Sequence, residues 1–321
     1  MNIEPDDILR IAAKLYYVDG LGEHEVAKII GVSRSKVSRL LTRAREKGIV
    51  RISVDNFEPR NAALEKKLKA RFHLTHALVI KMIAARSTAD VRRTIGYFAA
   101  PFASEFIRPQ SVIGVAGGRS IAELIHFMSA PRELQGVTIV QLMGNIGPDV
   151  SNIDAIELSR VLAQCFGGTF YTINAPAFAP DAASRDVFLS HEHVRSIWEL
   201  FERMQIAFVG IGTMSNSAFI ERGVLSTSDL ATLRNQGAVG EICGRFYDRN
   251  GQECKTDFRS RVVSIGIDKL RQIKEVVGVT NGRERAQAIT AALQGGILKS
   301  LIIDEEGAQA ILEAATAEDA A

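Results

Sequence analysis

The sequence predicts an α/β protein in which a winged helix-turn-helix precedes a doubly wound α/β domain. Three observations indicate this fold class. A basic stretch of helical periodicity with a glycine break, EHEVAKIIGVSRSKVSRLLTRAREK, lies near the N-terminus. From residue 77 onwards, short apolar runs alternate with helical stretches. The chain has 321 residues, of which 46% are hydrophobic. A chain of this length is too long to form one ordinary core, so we expect at least two units.

The first helices are predicted from the spacing of apolar residues and from residues that typically start or end a helix. Pro5 and the two aspartates after it are typical of a helix start and predict a supporting helix. Residues 23–30 form the next helix, with apolar side chains three and four positions apart. Gly31 then accepts the positive φ of a sharp turn, and Ser33 offers a side-chain oxygen that caps the following helix.

The helix after this turn carries the candidate DNA-binding face. Its apolar stripe is Val37, Leu40, Leu41 and Ala44, so the other side chains point away from the core. Arginine binds guanine in a bidentate fork, serine bonds to either kind of base, and clustered cations neutralise phosphates. A basic amphipathic helix is also a common solvated face, but the turn glycine favours a DNA reader. The candidate residues are Ser33, Arg34, Ser35, Lys36, Ser38, Arg39 and Arg43.

Two elements are predicted between the motif and the second domain. Alternating residues 49–54 predict a β segment that forms a wing. The charged helix NAALEKKLKARF, with leucines on one side, is either a linker that pairs two reading heads or a solvated connector. We therefore predict four segments. They are a DNA-binding domain at 1–56, a linker helix at 57–74, an effector-binding and oligomerisation domain at 75–315, and a frayed tail at 316–321.

The second domain alternates between strands and helices. Its strands are predicted at Ala77–Ile80, Val112–Val115, Val137–Leu142, Ile206–Ile211, Val262–Ile267, Val276–Val279 and Leu301–Ile303. Its helices are predicted at Ala89–Phe106, Ile121–Ser129, Ile153–Phe166, Ser226–Gln236 and Arg283–Gly295. Strands that are apolar throughout, each followed by a helix, indicate a mostly parallel sheet covered on both faces.

Ligands of such sheets bind outside the carboxyl ends of the strands, so the loops there carry the candidate site. The loop AGGRS follows the strand 112–115 and precedes a helix. Gly117 and Gly118 let backbone N–H groups approach an anion, while Arg119 and Ser120 add side-chain donors. Tight packing of a strand-to-helix turn would need the same glycines.

Two further loops are weaker candidates. In GNIGPDVSNID, the side chains of Asn145 and Asp154 can bind hydroxyl groups, although they can equally cap a helix. In AVGEICGRFYD, Glu241 and Arg245 can clamp a polyol or can pair with each other.

Composition narrows the remaining classes of protein. The net charge is only +2, so a nucleic-acid footprint must be local. The three cysteines are far apart, without CxxC spacing or clustered histidines, which predicts free thiols in a reducing compartment and no metal site. The acidic N-terminus excludes a secretory signal, and no apolar run is long enough to span a bilayer. We expect a cytoplasmic protein without a cofactor.

A collinear set of motifs runs from Leu15 to Leu312. The motifs are LYYVDGLGEHEVAKIIGVSRSKVSRLLTRAREKGIVRI, GVAGGRSIAEL, VQLMGNIG, NAPAF, VGIGTM, GAVGEICGRFYDRNG and LIIDEEGAQAIL. In this combination the chain resembles the SorC family of bacterial transcriptional regulators. The resemblance implies a Rossmann-like sugar-binding domain related to the sugar-phosphate isomerases, and a homo-oligomer that is usually a tetramer, a dimer of dimers. It also implies that a sugar phosphate or polyol controls operator affinity.

The resemblance places two candidates on family motifs. Residues 117–120 match the phosphate loop, and Glu241 occupies a position that is more commonly aspartate. The loop 144–154 contains no lysine, so a Schiff base from that loop is excluded and binding is reversible. Arg119 either strengthens phosphate binding or fills its space. Similarity to regulators of polyol catabolism, including the erythritol type, leaves a sugar alcohol and a sugar phosphate both open.

The sequence thus predicts a transcriptional regulator, a repressor or an activator, that binds double-stranded operator DNA and is not an enzyme. The alternative is an isomerase or deaminase with an appended DNA-binding module. Such chemistry needs a general base, and the three glycine-rich loops contain no histidine. Glu241 and Asp154 remain as candidates for the acid and the base.

Overall fold

The computed structural model describes residues 5–50, 58–82, 87–130 and 134–319. By contacts the chain divides into two compact units, Met1–Glu58 and Pro59–Ala321. The first unit contains α1 (Pro5–Ala13), a π-helical turn (Lys14–Val18), α2 (Glu23–Ile30) and α3 (Arg34–Glu46). Its apolar core includes Leu9, Val26, Val37, Leu41 and Ala44. The predicted wing falls largely on residues 51–57, which lie outside the described residues.

The second unit contains ten strands within the described ranges. They are β1 (His76–Ile80), β2 (Val112–Val115), β3 (Thr138–Gln141), β4 (Thr169–Tyr171), β5 (Ile206–Val209), β6 (Gly212–Thr213), β7 (Ala238–Ile242), β8 (Arg245–Asp248), β9 (Glu275–Val279) and β10 (Ser300–Asp304). Seven of them form a sheet in the order β1-β10-β9-β5-β2-β3-β4. All its described pairings are parallel. Strands β6, β7 and β8 form a small antiparallel sheet.

The second unit also contains twelve α-helices within the described ranges. They are α4 (Ala62–Phe72), α5 (Thr88–Glu105), α6 (Arg119–Phe127), α7 (Ala155–Cys165), α8 (Ala182–Ser190), α9 (Glu192–Glu202), α10 (Ala218–Glu221), α11 (Thr227–Asn235), α12 (Asp257–Arg261), α13 (Ile267–Gln272), α14 (Ala286–Gln294) and α15 (Glu305–Asp319). Successive residues of β5 alternate between two apolar clusters, Ala207 in one and Phe208 in the other. The sheet is therefore buried on both faces, which confirms the predicted doubly wound α/β class. No helix in the described ranges is long and apolar enough to cross a membrane.

The strand order reverses between β2 and β5. The chain proceeds from β2 to β3 and β4 on one side, and from β5 to β9 and β10 on the other. The loops that follow β2 and β5 consequently diverge and leave a crevice at the carboxyl ends of the strands. This crevice contains the pocket described below.

Three predicted elements differ in the structure. The helix predicted as a linker is α4, which packs within the second unit because Leu64 and Leu68 are buried there and Glu65 accepts the N–H of Val79. The apolar run 262–267 forms isolated antiparallel bridges and then starts α13, because its N–H groups bond to the loops after β3 and β4 instead of to a sheet strand. The tail predicted to fray from residue 316 continues α15 to Asp319.

Candidate functional site

The turn of the helix-turn-helix has the predicted backbone. Gly31 lies in the left-handed region with φ 66°, and its N–H donates to the carbonyl of Ala27 at the end of α2. The N–H of Lys36 donates to Ser33 Oγ, which caps α3. The glycine and the serine therefore act as the sequence predicted.

All seven candidate DNA-binding side chains are exposed along α3. Arg34 is 74% exposed, and its Nε donates to Glu23 at 3.0 Å. Arg39 Nε donates to the carbonyl of Ser35 at 3.3 Å. An exposed ion pair of this kind contributes little to stability, so both guanidinium groups can exchange these partners for DNA.

The pocket lies at the carboxyl ends of β2, β3, β5 and β9, and its volume is about 970 Å³ including its open mouth. Seven of the eight predicted effector residues line it. They are Gly117, Gly118, Arg119, Ser120, Asn145, Asp154 and Glu241. The topology therefore brings the three predicted loops together, which sequence spacing alone does not show.

The glycines in the loop between β2 and α6 were predicted either to bind an anion or to allow a tightly packed turn, and the backbone of the loop is compatible with both. Gly118 has φ 136° and donates its N–H to the carbonyl of Ile153 at 2.8 Å. A Cβ on Gly117 would lie 3.1 Å from that same carbonyl oxygen, so the glycines allow close packing. The N–H groups of Arg119 and Ser120 stand in the first turn of α6, where a helix has no acceptor of its own for them. Free N–H groups at a helix N-terminus are able to bind an anion.

The polar residues after β3 are already engaged. Asn145 Oδ1 accepts from Gln141 Nε2 at 2.9 Å. Asp154 accepts from Arg222 at 2.6 Å, and the same guanidinium donates to the carbonyl of Ile146. The predicted hydroxyl binders on this side therefore have protein partners.

Glu241 is a buried carboxyl at the pocket wall. It accepts the N–H of Gly244, and it lies opposite Gly212, where a Cβ would come within 2.6 Å of Glu241 Oε2. Burial raises the pKa of this carboxyl above its ordinary value of 4.5, against the hydrogen bonds from Gly244 and Ser217, which lower it.

The raised pKa of Glu241 predicts a measurable pH dependence of stability. Because the folded chain binds this proton more tightly than the unfolded chain, the contribution to stability is complete below pH 4.5 and is lost as pH rises through the raised value. Glu241→Gln should remove this component, measured by urea unfolding over a pH series. Exposed Glu199→Gln is the control, and an identical slope in wild type and Glu241→Gln would contradict the prediction.

Arg245 lies outside the pocket lining, which corrects its assignment to the effector site. Its guanidinium donates to the hydroxyl and carbonyl of Ser264, both at 3.0 Å, and to Glu253 at 3.3 Å. Its cross-strand partner is Ile242, the neighbour of Glu241, so its side chain is on the face opposite Glu241. The residue holds the 259–264 segment in place, and the clamp predicted for Arg245 with Glu241 is wrong.

The structure also adds pocket residues that sequence reasoning missed. They are Arg92 of α5, Glu221 and Arg222 at the end of α10, Thr280 and Asn281 after β9, and Arg285 before α14. Thr280 could have been predicted from the sequence, because it directly follows an apolar strand and ligands bind at the carboxyl ends of such strands. Arg92 could not have been predicted in this way, because it lies within a helix and not in a loop that follows a strand.

The arginines that line the pocket differ in whether they form an ion pair. Three arginines have acidic partners: Arg119 pairs with Glu221, Arg222 with Asp154, and Arg285 with Glu284. Arg92 has no ion pair or hydrogen bond among the described residues. Burial, together with the charges of Arg119 and Arg285, lowers the pKa of Arg92.

Comparison with known proteins covers both units. The family model for the sugar-binding domain matches residues 59–313. The chain is 32% identical over 314 residues to the transcriptional regulator YjhU of Escherichia coli (strain K12), covering 96% of this chain and 94% of that protein. It is 29% identical over 314 residues to the deoxyribonucleoside regulator of Bacillus subtilis (strain 168), covering 97% and 99%.

A solved structure agrees in fold. The crystal structure of the full-length sorbitol operon regulator SorC from Klebsiella pneumoniae matches with a TM-score of 0.77 at 27% identity, over 97% of this chain and 100% of that one. These matches span the helix-turn-helix as well as the pocket domain. The chain therefore belongs to the SorC family of sugar-binding transcriptional regulators.

Proposed function

We propose that this regulator binds operator DNA through the exposed face of α3 and takes a phosphorylated sugar or polyol in the pocket. The observation that carries the choice of a phosphorylated ligand is Arg92, which lines the pocket without a partner among the described residues. The carboxylates of Glu123 and Glu284 act on Arg92 through space without forming an ion pair with it, whereas a phosphate supplies charge-assisted hydrogen bonds that an uncharged polyol does not.

The relatives support the sugar class of the ligand. One is named for deoxyribonucleosides and another for the sorbitol operon. We also propose a homo-oligomer, a tetramer as the family resemblance implies, because helix-turn-helix readers pair on two-fold operators. Linkage requires that the ligand and the operator change each other's affinity by the same factor, typically about 5- to 150-fold.

The pocket supports binding better than catalysis. Asp154 is paired with Arg222, and Glu241 is buried and hydrogen-bonded, so neither is a free general base. No histidine is among the described residues that line the pocket. We propose a non-enzymatic pocket, and turnover of a sugar phosphate by pure protein would overturn this part.

The choice between phosphorylated and uncharged ligands is tested with matched pairs. Sorbitol and sorbitol phosphate, and deoxyribose and deoxyribose phosphate, are titrated calorimetrically into the full chain. We expect the phosphorylated member of a pair to bind about 10- to 100-fold more tightly, as one or two hydrogen bonds to a charged group would give, and to change operator affinity. Equal affinity of both members would contradict a phosphate site.

A further inference from the structure

We propose that Arg92 and Thr280 bind the ligand from the β9 side of the pocket, Arg92 at its phosphate and Thr280, together with Asn281, at a neighbouring hydroxyl. This inference rests on the proposed function and assigns residues of that same pocket. The strand order places the end of β9 two strands from the end of β2, with β5 between them. Adjacent strands lie about 4.8 Å apart, so a sugar phosphate is long enough to reach both ends.

Thr280 carries a buried hydroxyl in the pocket wall. The residue is 2% exposed, it lines the pocket, and its Oγ1 has no hydrogen bond among the described residues. Buried hydroxyls in native proteins are nearly always bonded, and for Thr280 we assign the missing partner to the ligand because this residue, unlike Thr290, lines the pocket. A sugar hydroxyl can both donate to and accept from it.

The backbone around Thr280 is held in place. The N–H of Thr280 donates to the carbonyl of Ile302 at 3.1 Å, and the N–H of Gly282 donates to Asp304 at 2.8 Å. The carbonyl of Asn281 accepts from Arg285 at 2.9 Å. Because its main chain is fixed by these bonds, this turn is preorganised to bind the ligand through its side chains.

Arg92 supplies the countercharge on the same side. It is half-buried in the pocket wall and forms no ion pair among the described residues. The charges of Arg119 and Arg285 lower its pKa, and those of Glu123 and Glu284 oppose this effect. A bound phosphate relieves the mutual repulsion of these cations. On the β3 side, by contrast, Asn145 Oδ1 and the carboxylate of Asp154 already have protein partners.

Calorimetry on the full chain tests both residues. The probes are inorganic phosphate and whichever of sorbitol phosphate and deoxyribose phosphate binds wild type more tightly. Arg92→Gln should weaken both probes by about tenfold or more, and Arg92→Lys should weaken them less. Thr280→Val should weaken the sugar phosphate about fivefold and leave inorganic phosphate unchanged.

Two matched controls isolate these effects. Arg93→Gln removes an exposed arginine next to Arg92, and Thr290→Val removes another buried, unpartnered hydroxyl of the described residues, one that lies outside the pocket lining. Both should bind as wild type does. Unchanged sugar-phosphate affinity in Arg92→Gln or Thr280→Val, with wild type binding normally, overturns the inference and leaves the proposed function intact. Failure of wild type to bind any phosphorylated probe overturns both.

Discussion

A chain carrying Arg34→Ala and Arg39→Ala is expected to lose about two orders of magnitude or more in operator affinity while keeping its fold. Each bidentate contact between an arginine and a base is worth about 1 to 3 kcal/mol, and about 1.4 kcal/mol is a factor of ten. Both side chains are exposed, and the buried stripe of α3 is untouched. Fluorescence anisotropy with the cognate operator measures the loss.

A charge-matched control separates base contacts from general electrostatics. Arg203→Ala with Lys274→Ala removes two exposed cations from the second unit and should leave operator affinity within about threefold, because neither side chain belongs to α3 and exposed charges that make no direct contact are screened by salt. Operator affinity that is equal in the two double variants would refute the assignment of α3 as the reading helix.

Gly144→Ala is expected to destabilise the second unit by about 3 kcal/mol, near the upper end for overpacking. A Cβ at this position would lie 2.5 Å from the carbonyl oxygen of Ala175 and from two backbone atoms of Pro176. Backbone atoms cannot rotate away as a flexible side chain can. The clash would also displace the pocket loop, since the N–H of Asn145 donates to the carbonyl of Ala175. Urea unfolding measures the first effect and calorimetry the second.

Gly266→Ala is the matched control for that substitution. Gly266 has φ −80°, and no atom lies within 4 Å of the position that an added methyl group would take. The free energy of unfolding should therefore change by less than about 1 kcal/mol. If the Gly144→Ala variant were as stable as the Gly266→Ala variant, this result would contradict the close contact between the loops after β3 and β4.

Local rules were sufficient where a short stretch decides its own structure. Gly31 and Ser33 form the turn and the cap they predict, because positive φ and a side-chain acceptor are properties of single residues. The apolar runs of β2 and β5 identified strands buried on both faces. The same rule failed for 262–267, since a short apolar run records burial without specifying a sheet partner.

The sequence by itself determined the two units, the basic helix α3, the doubly wound sheet and the glycine loop after β2, because periodicity, turn chemistry and collinear motifs depend on residues that are close together in the sequence or in a fixed order along it. Only the tertiary structure decided which polar groups share the pocket and which are already satisfied. Arg245 is bonded to Ser264, whereas Arg92 reaches the pocket without a partner among the described residues. Pairing depends on distances between elements far apart in sequence, and no local pattern encodes those distances.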